Sequence, residues 1–415
     1  MKIYQVGGAV RDRLRGSEAK DTDYVVVGAT VCQMEAEGFV SVGKNFPVFL
    51  HPETKEEYAL ARKEIKTGDK HGDFEFIFTP DTTLEEDLKR RDFTCNAIAY
   101  DGKEYIDPFG GQKDIQNKIL RHIDDIHFME DPLRILRLAR FCAQLDFEPF
   151  PKTLEICREM VAEKMLKNLS AERIWAETLK ALETQHFEKF ILNLKQTGAL
   201  EEIMPEVAVL FDVPENEKFH PEKNTGGHVI SALRYVKAEN PLVKFGVLMH
   251  DLGKGATLQE MWPKHKMHDY LAKPLIQNLC QRLKVPKIYE NFALMCAKLH
   301  MRFYHICEMH AGKIVDFIDE LNVGHKNFVR DFIEVCKADM LSTSFEDVEQ
   351  ERRRFNLNAE ILRFAVDTLA TIKAQDMPQF KQLEKNAKFG KKFRAYKANV
   401  FAEKLHAFKK EKSPL

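Results

Sequence analysis

The 415-residue chain lacks the features that mark membrane, secreted and disulfide-rich proteins. No apolar run approaches the roughly 20 residues of a membrane-spanning helix. The opening stretch, MKIYQVGGAVRD, has none of the basic, apolar and small-residue zones of a signal peptide. The eight cysteines include no CxxC pair, which argues against a zinc ribbon or a disulfide framework. These absences predict a cytoplasmic protein with reduced thiols and no membrane partner.

The sequence also lacks an excess of charge of either sign. Lysine and arginine number 63 against 64 acidic residues, so the net charge is −1. A chain of this balance can bind nucleic acid only through basic residues that are segregated on its surface. Hydrophobic and charged contents of 44% and 31% are typical of a globular protein. The length suits two to four domains at roughly 150 residues each.

The residue pattern changes near residue 121. Before it, short β-like runs alternate with turns and short helical patches, and after it apolar residues recur at helical spacing. The segment 206–228 is rich in proline, glycine and asparagine, which predicts a joint between domains. The Lys-rich end, 381–415, is typical of a solvated helix and a frayed tail. We therefore expect an α+β head followed by mostly helical parts, divided as head 1–120, neck and body 121–215, a further domain 225–330 and a tail 331–415.

Two aspartates, Asp21 and Asp23, begin an apolar run in KDTDYVVVG. Alternate residues of a strand share a face, so both carboxylates would point the same way and repel each other unless a cation lies between them. Upstream, VGGAVRD places Gly8 and its neighbour, which permit close approach of backbone to a phosphate, next to Arg11. A turn followed by an ordinary strand explains the aspartates alone. The combination favours a phosphate turn beside a Mg²⁺ site, as two-metal phosphoryl transfer requires.

The stretch EDPLRILRLARF, 130–141, predicts a helix with two distinct faces. Asp131 followed by Pro132 is typical of a helix start, with the aspartate as N-cap. The apolar face is predicted to be a buried stripe of Ile135, Leu138, Cys142 and Leu145. A row of arginines at i, i+3 spacing runs beside it: Arg134, Arg137 and Arg140. The strand aspartates cannot neutralise three arginines, so we expect a nucleoside triphosphate to do so; a salt-bridged surface helix is the alternative.

A further basic pair stands in LKRRDFTCNA, 88–97, where Arg90 and Arg91 would clamp phosphates or, considered alone, form a solvated surface.

The sequence resembles the class II tRNA nucleotidyltransferases, the CCA-adding enzymes, in four motifs that occur in this order and spacing: GGAVRD, DTD, RRDFTxNA and EDPLRxxRxxRF. These enzymes share a polymerase-β-like head with bacterial poly(A) polymerases. The resemblance implies template-independent addition of C, C and A to the tRNA 3′ end from CTP and ATP, with release of pyrophosphate.

The same resemblance implies roles for individual residues. Asp21 and Asp23 would bind Mg²⁺, and Asp131 and Arg134 would recognise the base. The remaining contacts to the nucleotide would come from Gly8, Arg11, Arg91, Arg137 and Arg140. An aspartate acceptor beside an arginine donor matches the pairing edges of cytosine and adenine and leaves buried groups unpaired against guanine and uracil.

A poly(A) polymerase remains an alternative, because the head motifs are shared. Poly(A) polymerases have two adjacent basic residues in a stretch similar to SVGKNFPVFLH, where this chain has Asn45 as the second. That departure favours CCA addition. The segment 56–74 corresponds in the family to a mobile loop that helps to switch from C to A.

A second constellation begins with FGVLMHDLGKG, 245–255, which ends an apolar helix at His250 and Asp251. A histidine at a helix end is usually structural, but further histidines and an aspartate follow at suitable spacing. The set resembles the H…HD…H…H…D pattern of HD phosphohydrolases, found as an extra domain in some CCA-adding enzymes: His228, His250, Asp251, His268, His300 and Asp339.

This second resemblance implies a hydrolytic metal centre. Imidazoles and carboxylates would hold one or two divalent transition-metal ions, with Ni²⁺ one candidate. The implied activities are those of a phosphatase, a 2′-nucleotidase and a 2′,3′-cyclic phosphodiesterase. We expect tRNA, CTP and ATP as partners and leave open a monomer or a homodimer. A metal-dependent nucleotide phosphohydrolase whose head only binds nucleotides is the second alternative.

Overall fold

The structure is a computed structural model that describes residues 1–18, 22–42, 48–66, 74–237, 239–321, 328–374 and 387–412. Asp21, Asn45 and the loop residues 67–73 therefore lie outside the described residues. The chain forms two compact units, Met1–Ile203 and Met204–Leu415. A finer division into four parts stays a prediction. No described helix is long and apolar enough to cross a membrane.

The first unit is built on a mixed sheet. Its strands follow most of the predicted β-like runs, but the two-residue strands after residue 98 are too short to show a pattern in the sequence. The described strands are β1 (Lys2–Val6), β2 (Asp23–Val27), β3 (Val40–Ser41), β4 (Val48–Leu50), β5 (Glu57–Leu60), β6 (Lys63–Lys66), β7 (Phe74–Ile77), β8 (Ala99–Tyr100), β9 (Tyr105–Ile106), β10 (Ile119–Leu120) and β11 (Glu148–Pro149).

Seven of these strands form one sheet in the order β3-β4-β5-β2-β1-β8-β9. The central strand β2 pairs antiparallel with β1 and parallel with β5. Val25 and Val26 point to opposite faces of the sheet and are both 1% exposed, because a hydrophobic cluster covers each face. This packing fixes Asp23 at the start of β2.

The helices of the first unit confirm the predicted change from α+β to mostly helical structure near residue 121. They are α1 (Gly8–Leu14), α2 (Val31–Ala36), α3 (Leu84–Lys89), α4 (Gly111–Gln116), α5 (Asp125–Met129), α6 (Leu133–Leu145), α7 (Pro151–Ala162), α8 (Ala171–Leu182), α9 (Phe187–Thr197) and α10 (Ala199–Ile203).

Helix α6 has the predicted apolar face. The four stripe residues are at most 1% exposed, and the helix packs against α8 and α9. The helix begins at Leu133, one residue later than predicted, with Pro132 rather than Asp131 at the N-cap. The Asp131 carboxylate nevertheless accepts a hydrogen bond from the Leu133 amide at 3.0 Å, so it does satisfy an amide of the first turn.

Carboxylates of the protein neutralise two of the three arginines, as in the salt-bridged alternative, and binding of a triphosphate to the row stays a prediction. Arg137 donates from Nε to the Asp92 carboxylate at 2.8 Å, and Arg140 pairs with Glu177 on α8. The carboxylate partners come from segments 45 and 37 residues away in the sequence. That separation hides them from any argument based on the spacing within one helix.

The second unit is helical in the described residues. The segment 206–228, expected to be a joint, is packed within this unit, and its Glu215 is buried against Lys254 and Thr225. The helices are α11 (Pro205–Ala208), α12 (Thr225–Leu233), α13 (Pro241–Met249), α14 (His268–Arg282), α15 (Lys287–Phe303), α16 (Ala311–Leu321), α17 (Phe328–Ser342), α18 (Val348–Ala370) and α19 (Ala387–Lys412).

The Lys-rich helix α19 is not simply a solvated helix. Arg394 and Lys397 pair with Asp316 and Asp319 on α16, and Lys412 pairs with an acid on α18.

The eight cysteines are free, as their spacing predicted.

The ion pair of the buried Asp92 with the partly exposed Arg137 joins the segment after α3 to helix α6. Burial alone would raise the pKa of Asp92, but the Arg137 guanidinium outweighs it and lowers the pKa to about 2. A carboxylate whose pKa is lower in the folded than in the unfolded chain stabilises the fold above about pH 4, and that stabilisation is lost as the pH falls toward 2.

We therefore expect Asp92→Asn to lower the free energy of unfolding of the first unit at pH 7 by about 2 kcal/mol. The difference from the unsubstituted chain should shrink between pH 4 and pH 2. Urea titrations would measure it from Trp175 fluorescence in a Trp262→Phe background, since these are the two tryptophans of the chain.

The matched control is Asp81→Asn, which changes an exposed carboxylate in the same unit. It should alter the free energy of unfolding by less than about 0.5 kcal/mol. An Asp92→Asn effect that stays the same from pH 7 to pH 2 would contradict the assigned pKa.

Candidate active sites

A cleft of about 1120 Å³ lies in the first unit between the start of β2, the segment after α3 and helix α6. Its lining carries seven basic and four acidic side chains, so the wall is net positive. A net positive, open cleft suits a polyanion such as a triphosphate. Eight of the nine residues predicted for the head lie in its wall: Gly8, Arg11, Asp23, Arg91, Asp131, Arg134, Arg137 and Arg140. The ninth, Asp21, is outside the described residues.

The turn between β1 and α1 brings backbone into this wall. Gly7 has φ +74°, a conformation that favours glycine. A Cβ placed there would lie 3.5 Å from Asp23 Oδ2 and 3.4 Å from Arg91 Nη1. Because Gly7 has no side chain, the cleft stays open beside Asp23 and Arg91. Gly8, the next residue, begins helix α1.

Arginines of the head are held in place by Asn96 of RRDFTCNA and by Asp87 of α3. Arg11 is 4% exposed and donates from Nη1 to Asn96 Oδ1 at 2.7 Å. Arg91 donates to Asp87 at 3.2 Å and to the Asn96 carbonyl at 3.3 Å. Asn96 and Asp87 are thus positioning residues that the sequence reasoning missed. The RRDFTxNA motif was the available signal, because it contains Asn96 beside the arginines.

The far wall of the cleft holds the two residues predicted to recognise the base. Arg134 donates to the backbone carbonyls of Arg90, at 3.0 Å, and of His127. Asp131 accepts from Arg173 of α8, which lies 3.0 Å from Oδ2. Both side chains are therefore fixed by the protein, and both line the cleft. Sequence reasoning did not anticipate Arg173, which stands 42 residues from its partner.

The second unit brings together all six residues predicted for the hydrolytic centre. They come from five segments: α12, the turn after α13, α14, α15 and α17. Asp251 lies closest to the middle, 3.2 Å from His250 Nε2 and 3.4 Å from each of His268 Nε2 and His300 Nε2. His228 Nε2 lies 3.0 Å from Asp339 Oδ1. The cluster is therefore a single buried group of four imidazoles and two carboxylates.

Backbone carbonyls orient three of the rings. His250 Nδ1 lies 2.7 Å from the Val247 carbonyl, and His268 Nδ1 lies 2.9 Å from the His265 carbonyl. His300 Nδ1 is 3.1 Å from the Cys296 carbonyl. A carbonyl can only accept, so each Nδ1 carries a proton and each Nε2 is turned inward, toward the middle of the cluster. Metal-ligating histidines are oriented by contacts of this kind.

Two buried atoms of the cluster lack a hydrogen-bond partner in the described structure, His250 Nε2 and Asp251 Oδ1. Buried polar atoms are rarely left unpaired unless they face an ion or a ligand. The side chains form two groups whose ligand atoms lie within 4.8 Å of one another: His228, His250 and Asp251 in one, and Asp251, His268 and His300 in the other. Asp251 belongs to both, so the donor set fits one metal ion or two bridged by this carboxylate.

Lys254 and Glu215 extend the cluster, and the sequence reasoning missed both. Lys254 Nζ lies 2.9 Å from Asp251 Oδ2 and 2.7 Å from Glu215 Oε1. Burial would raise the pKa of Asp251, but Lys254 and His250 hold it well below its usual range. HDLGKG was the available signal, since it places Lys254 three residues after the aspartate on the same turn.

A glycine allows this turn to approach helix α14. A Cβ on Gly253 would lie 1.8 Å from the carbonyl oxygen of His268, where no side chain fits. The close approach brings Asp251 and His268 into one cluster. Gly253 therefore contributes to the cluster through this contact.

Comparison with solved structures supports the fold over nearly the whole chain. The Thermotoga maritima CCA-adding enzyme complexed with tRNA_CCA aligns with a TM-score of 0.63, 19% identity, and coverage of 97% of this chain and 87% of that one. A CCA-adding enzyme in complex with CTP aligns with a TM-score of 0.62, 19% identity, and coverage of 96% and 87%. The expected polymerase-β-like head followed by helical domains is confirmed as a fold.

Two family models match the first half of the chain. The poly A polymerase head domain matches residues 3–121, and the probable RNA and SrmB-binding site of polymerase A matches residues 146–211. The first covers the seven-stranded sheet and the stretches GGAVRD, DTD and RRDFTCNA. The second covers α7 to α10, including the helix that carries Arg173 and Glu177.

Relatives of high similarity extend beyond the head. A multifunctional CCA protein of Acinetobacter baumannii is 41% identical over 412 residues, which cover 97% of each chain. One of Vibrio vulnificus is 45% identical over 346 residues, covering 82% of this chain and 85% of the relative. At such identity and coverage the chain belongs to the family of multifunctional CCA proteins.

Proposed function

We propose that the first unit adds C, C and A to the 3′ end of tRNA, using CTP and ATP. The observation that supports this most strongly is the cleft, whose wall places a strand aspartate, a row of arginines and an Asp131–Arg134 pair around one space. The names of the similar proteins, which include a CCA-adding enzyme complexed with tRNA_CCA, point the same way.

In the proposed reaction Asp23, with Asp21 beside it, would hold Mg²⁺. When bound there, Mg²⁺ promotes ionisation of the tRNA 3′ hydroxyl and neutralises charge on the phosphates. Arg11, Arg91 and Arg137 bind the triphosphate and hold its α-phosphate in line with the attacking oxygen, which is the contribution of positioning to catalysis. Pyrophosphate leaves as the new phosphodiester bond forms.

The base is selected by hydrogen bonding to Asp131 and Arg134. Cytosine N4 and adenine N6 donate to the carboxylate, and the adjacent ring nitrogen accepts from the guanidinium. Uracil and guanine present an acceptor to the carboxylate and a donor to the guanidinium. A wrong base therefore loses two hydrogen bonds, one to Asp131 and one to Arg134. Binding sites reject such a mismatch strongly, because their own polar groups are then left unpaired.

Incubation with a tRNA that lacks its 3′ CCA, with all four nucleotides present, tests this proposal. We expect sequencing of the product to show C, C and A and then termination. Asp23→Asn should reduce the rate of addition by at least about 100-fold, because removal of a group that acts in the transition state typically costs 10²–10³-fold.

Glu53→Gln is the control for that variant, since it removes an exposed carboxylate from the same unit. A long run of A without C would instead support the poly(A) polymerase alternative. Addition at the normal rate by Asp23→Asn would contradict the role assigned to the strand aspartate.

We further propose that the cluster around Asp251 binds divalent transition-metal ions, Ni²⁺ among them, and hydrolyses phosphate esters such as 2′,3′-cyclic phosphates. Support comes from the unpaired buried atoms of His250 and Asp251 and from the carbonyls that turn three Nε2 atoms inward. A metal ion there would activate water for attack on phosphorus. Lys254 would hold Asp251 in its ionised, ligating form.

Metal content measured by elemental analysis tests the shared role of Asp251. After incubation with Ni²⁺ and desalting, Asp251→Asn should retain almost no metal, because both groups of ligands contain it. His300→Asn should retain about half, if the two groups act as separate sites joined by the carboxylate. Equal losses for the two variants would contradict the bridging role.

Activity measurements on the same variants separate the two sites. Asp251→Asn should lose hydrolysis of 2′,3′-cyclic AMP and keep CCA addition, whereas Asp23→Asn should show the reverse. A chain that hydrolyses nucleotides but never extends tRNA would support the phosphohydrolase alternative.

A further inference from the structure

Helix α8 carries two charged residues one turn apart that face helix α6. Arg173 contacts Asp131, before the first turn of α6, and Glu177 pairs with Arg140 near the middle of α6. Residues four apart lie on the same side of a helix. Helix α8 supplies the cation of the first pair and the anion of the second. A shift of α8 by one turn along α6 would break both pairs, so the two pairs together favour this register.

The position of Arg173 is unfavourable for the helix that contains it. Its amide is hydrogen-bonded to the Ser170 side chain, the N-cap of α8, so Arg173 stands in the first turn. A cation there opposes the helix dipole, and glutamate or glutamine is the favoured residue at this position. A residue that breaks a local rule is expected where a contact elsewhere compensates. Here the compensating contact is Asp131.

The contact fixes the plane of the Asp131 carboxylate. Arg173 Nη2 lies 3.0 Å from Oδ2 and 3.3 Å from Oδ1, so one nitrogen spans both oxygens. Oδ1 also accepts from the Leu133 amide at 3.0 Å. Backbone on one side and a guanidinium on the other leave the carboxylate little freedom to rotate about its Cβ–Cγ bond.

Arg173 acts through Asp131 and not on the nucleotide. Asp131 and Arg134 line the cleft, whereas Arg173 is not among the described residues of its wall. Its side chain is 20% exposed, as is that of Asp131, so the pair is only partly screened by water. An oriented, ionised carboxylate accepts from an amino group and repels a carbonyl oxygen. A carboxylate that is free to rotate aims its oxygens less consistently at the amino group, so it discriminates less between an amino group and a carbonyl oxygen.

We infer that Arg173 is a specificity-determining positioning residue, which orients Asp131 so that the cleft accepts an amino group and rejects a carbonyl at the same place on the base. The inference rests on the proposed reading of the base by Asp131 and Arg134. It extends that proposal to a residue outside the cleft.

Equilibrium binding of CTP and UTP, together with single-nucleotide addition from each, tests the inference. We expect Arg173→Ala to lower the preference for CTP over UTP by about tenfold, measured both as a ratio of Kd values and as a ratio of kcat/KM values. The loss should appear mainly in Kd and KM, with kcat for CTP changing less, because the reacting groups are untouched. Arg173→Lys, which keeps the charge, should restore part of the preference.

The matched control is Arg158→Ala on α7, which removes an exposed arginine that also donates one hydrogen bond, to the Gln196 carbonyl. It should leave the preference unchanged. If Arg173→Ala does not fold, Arg173→Gln and Arg173→Lys supply the same comparison. An unchanged CTP preference in every folded variant would overturn the inference, and so would tighter binding of CTP, which would show that Arg173 competes with the base.

The binding arm separates this inference from the proposed function. If the unsubstituted chain prefers CTP in binding but adds no C to tRNA, the proposed addition fails while Arg173 is still tested by the change in the Kd ratio. If the unsubstituted chain binds CTP and UTP alike, the base-reading role and the inference both fail.

Discussion

The cleft of the first unit depends on one constraint, the burial of charge along helix α6. A guanidinium can leave water only when a carboxylate or several carbonyls replace its hydration. Asp92 supplies this for Arg137 and Glu177 supplies it for Arg140, while Asp131 receives the guanidinium of Arg173. Each pair ties α6 to another element, so the arrangement that neutralises the helix also sets the shape of the cleft.

This arrangement separates chemistry from selection. The strand aspartate lies at the start of β2, held by a sheet that is covered on both faces, and the pair proposed to read the base, Asp131 and Arg134, lies just before α6 and in its first turn. In the proposed function the same metal-dependent step would serve two nucleotides, because the choice of base would depend on a different wall. The second unit differs, because there one carboxylate, Asp251, belongs to both groups of residues that could hold a metal ion.

The sequence predicted those features that depend on local spacing. The stripe of α6, the strand that begins near Asp23 and the six residues of the second cluster all follow from patterns within short stretches or from motifs. The order of the sheet and the partners of the arginines could not be predicted in this way. Asp92, Glu177 and Arg173 stand 37 to 45 residues from the side chains that they contact, and only the packing of α8 and of the segment after α3 against α6 brings them together.

In the cluster around Asp251, too, the supporting contacts could not be predicted from the sequence. The HDLGKG motif identified its two central residues, His250 and Asp251, but the roles of Lys254 and Gly253 depend on where the turn lies against α14 and the buried Glu215. A pattern of residues names the ligands of such a centre. The contacts that hold those ligands in place come from the three-dimensional packing of five separate segments.

The central claim is that selection of the base belongs to the Asp131–Arg134 wall and is independent of the metal-binding aspartates. A crystal structure of the Asp23→Asn protein with CTP tests it most directly. The account predicts cytosine N4 within hydrogen-bond distance of the Asp131 carboxylate, N3 within reach of Arg134, and Arg173 still on Asp131. Cytosine seated elsewhere, with no contact to either residue, would contradict it.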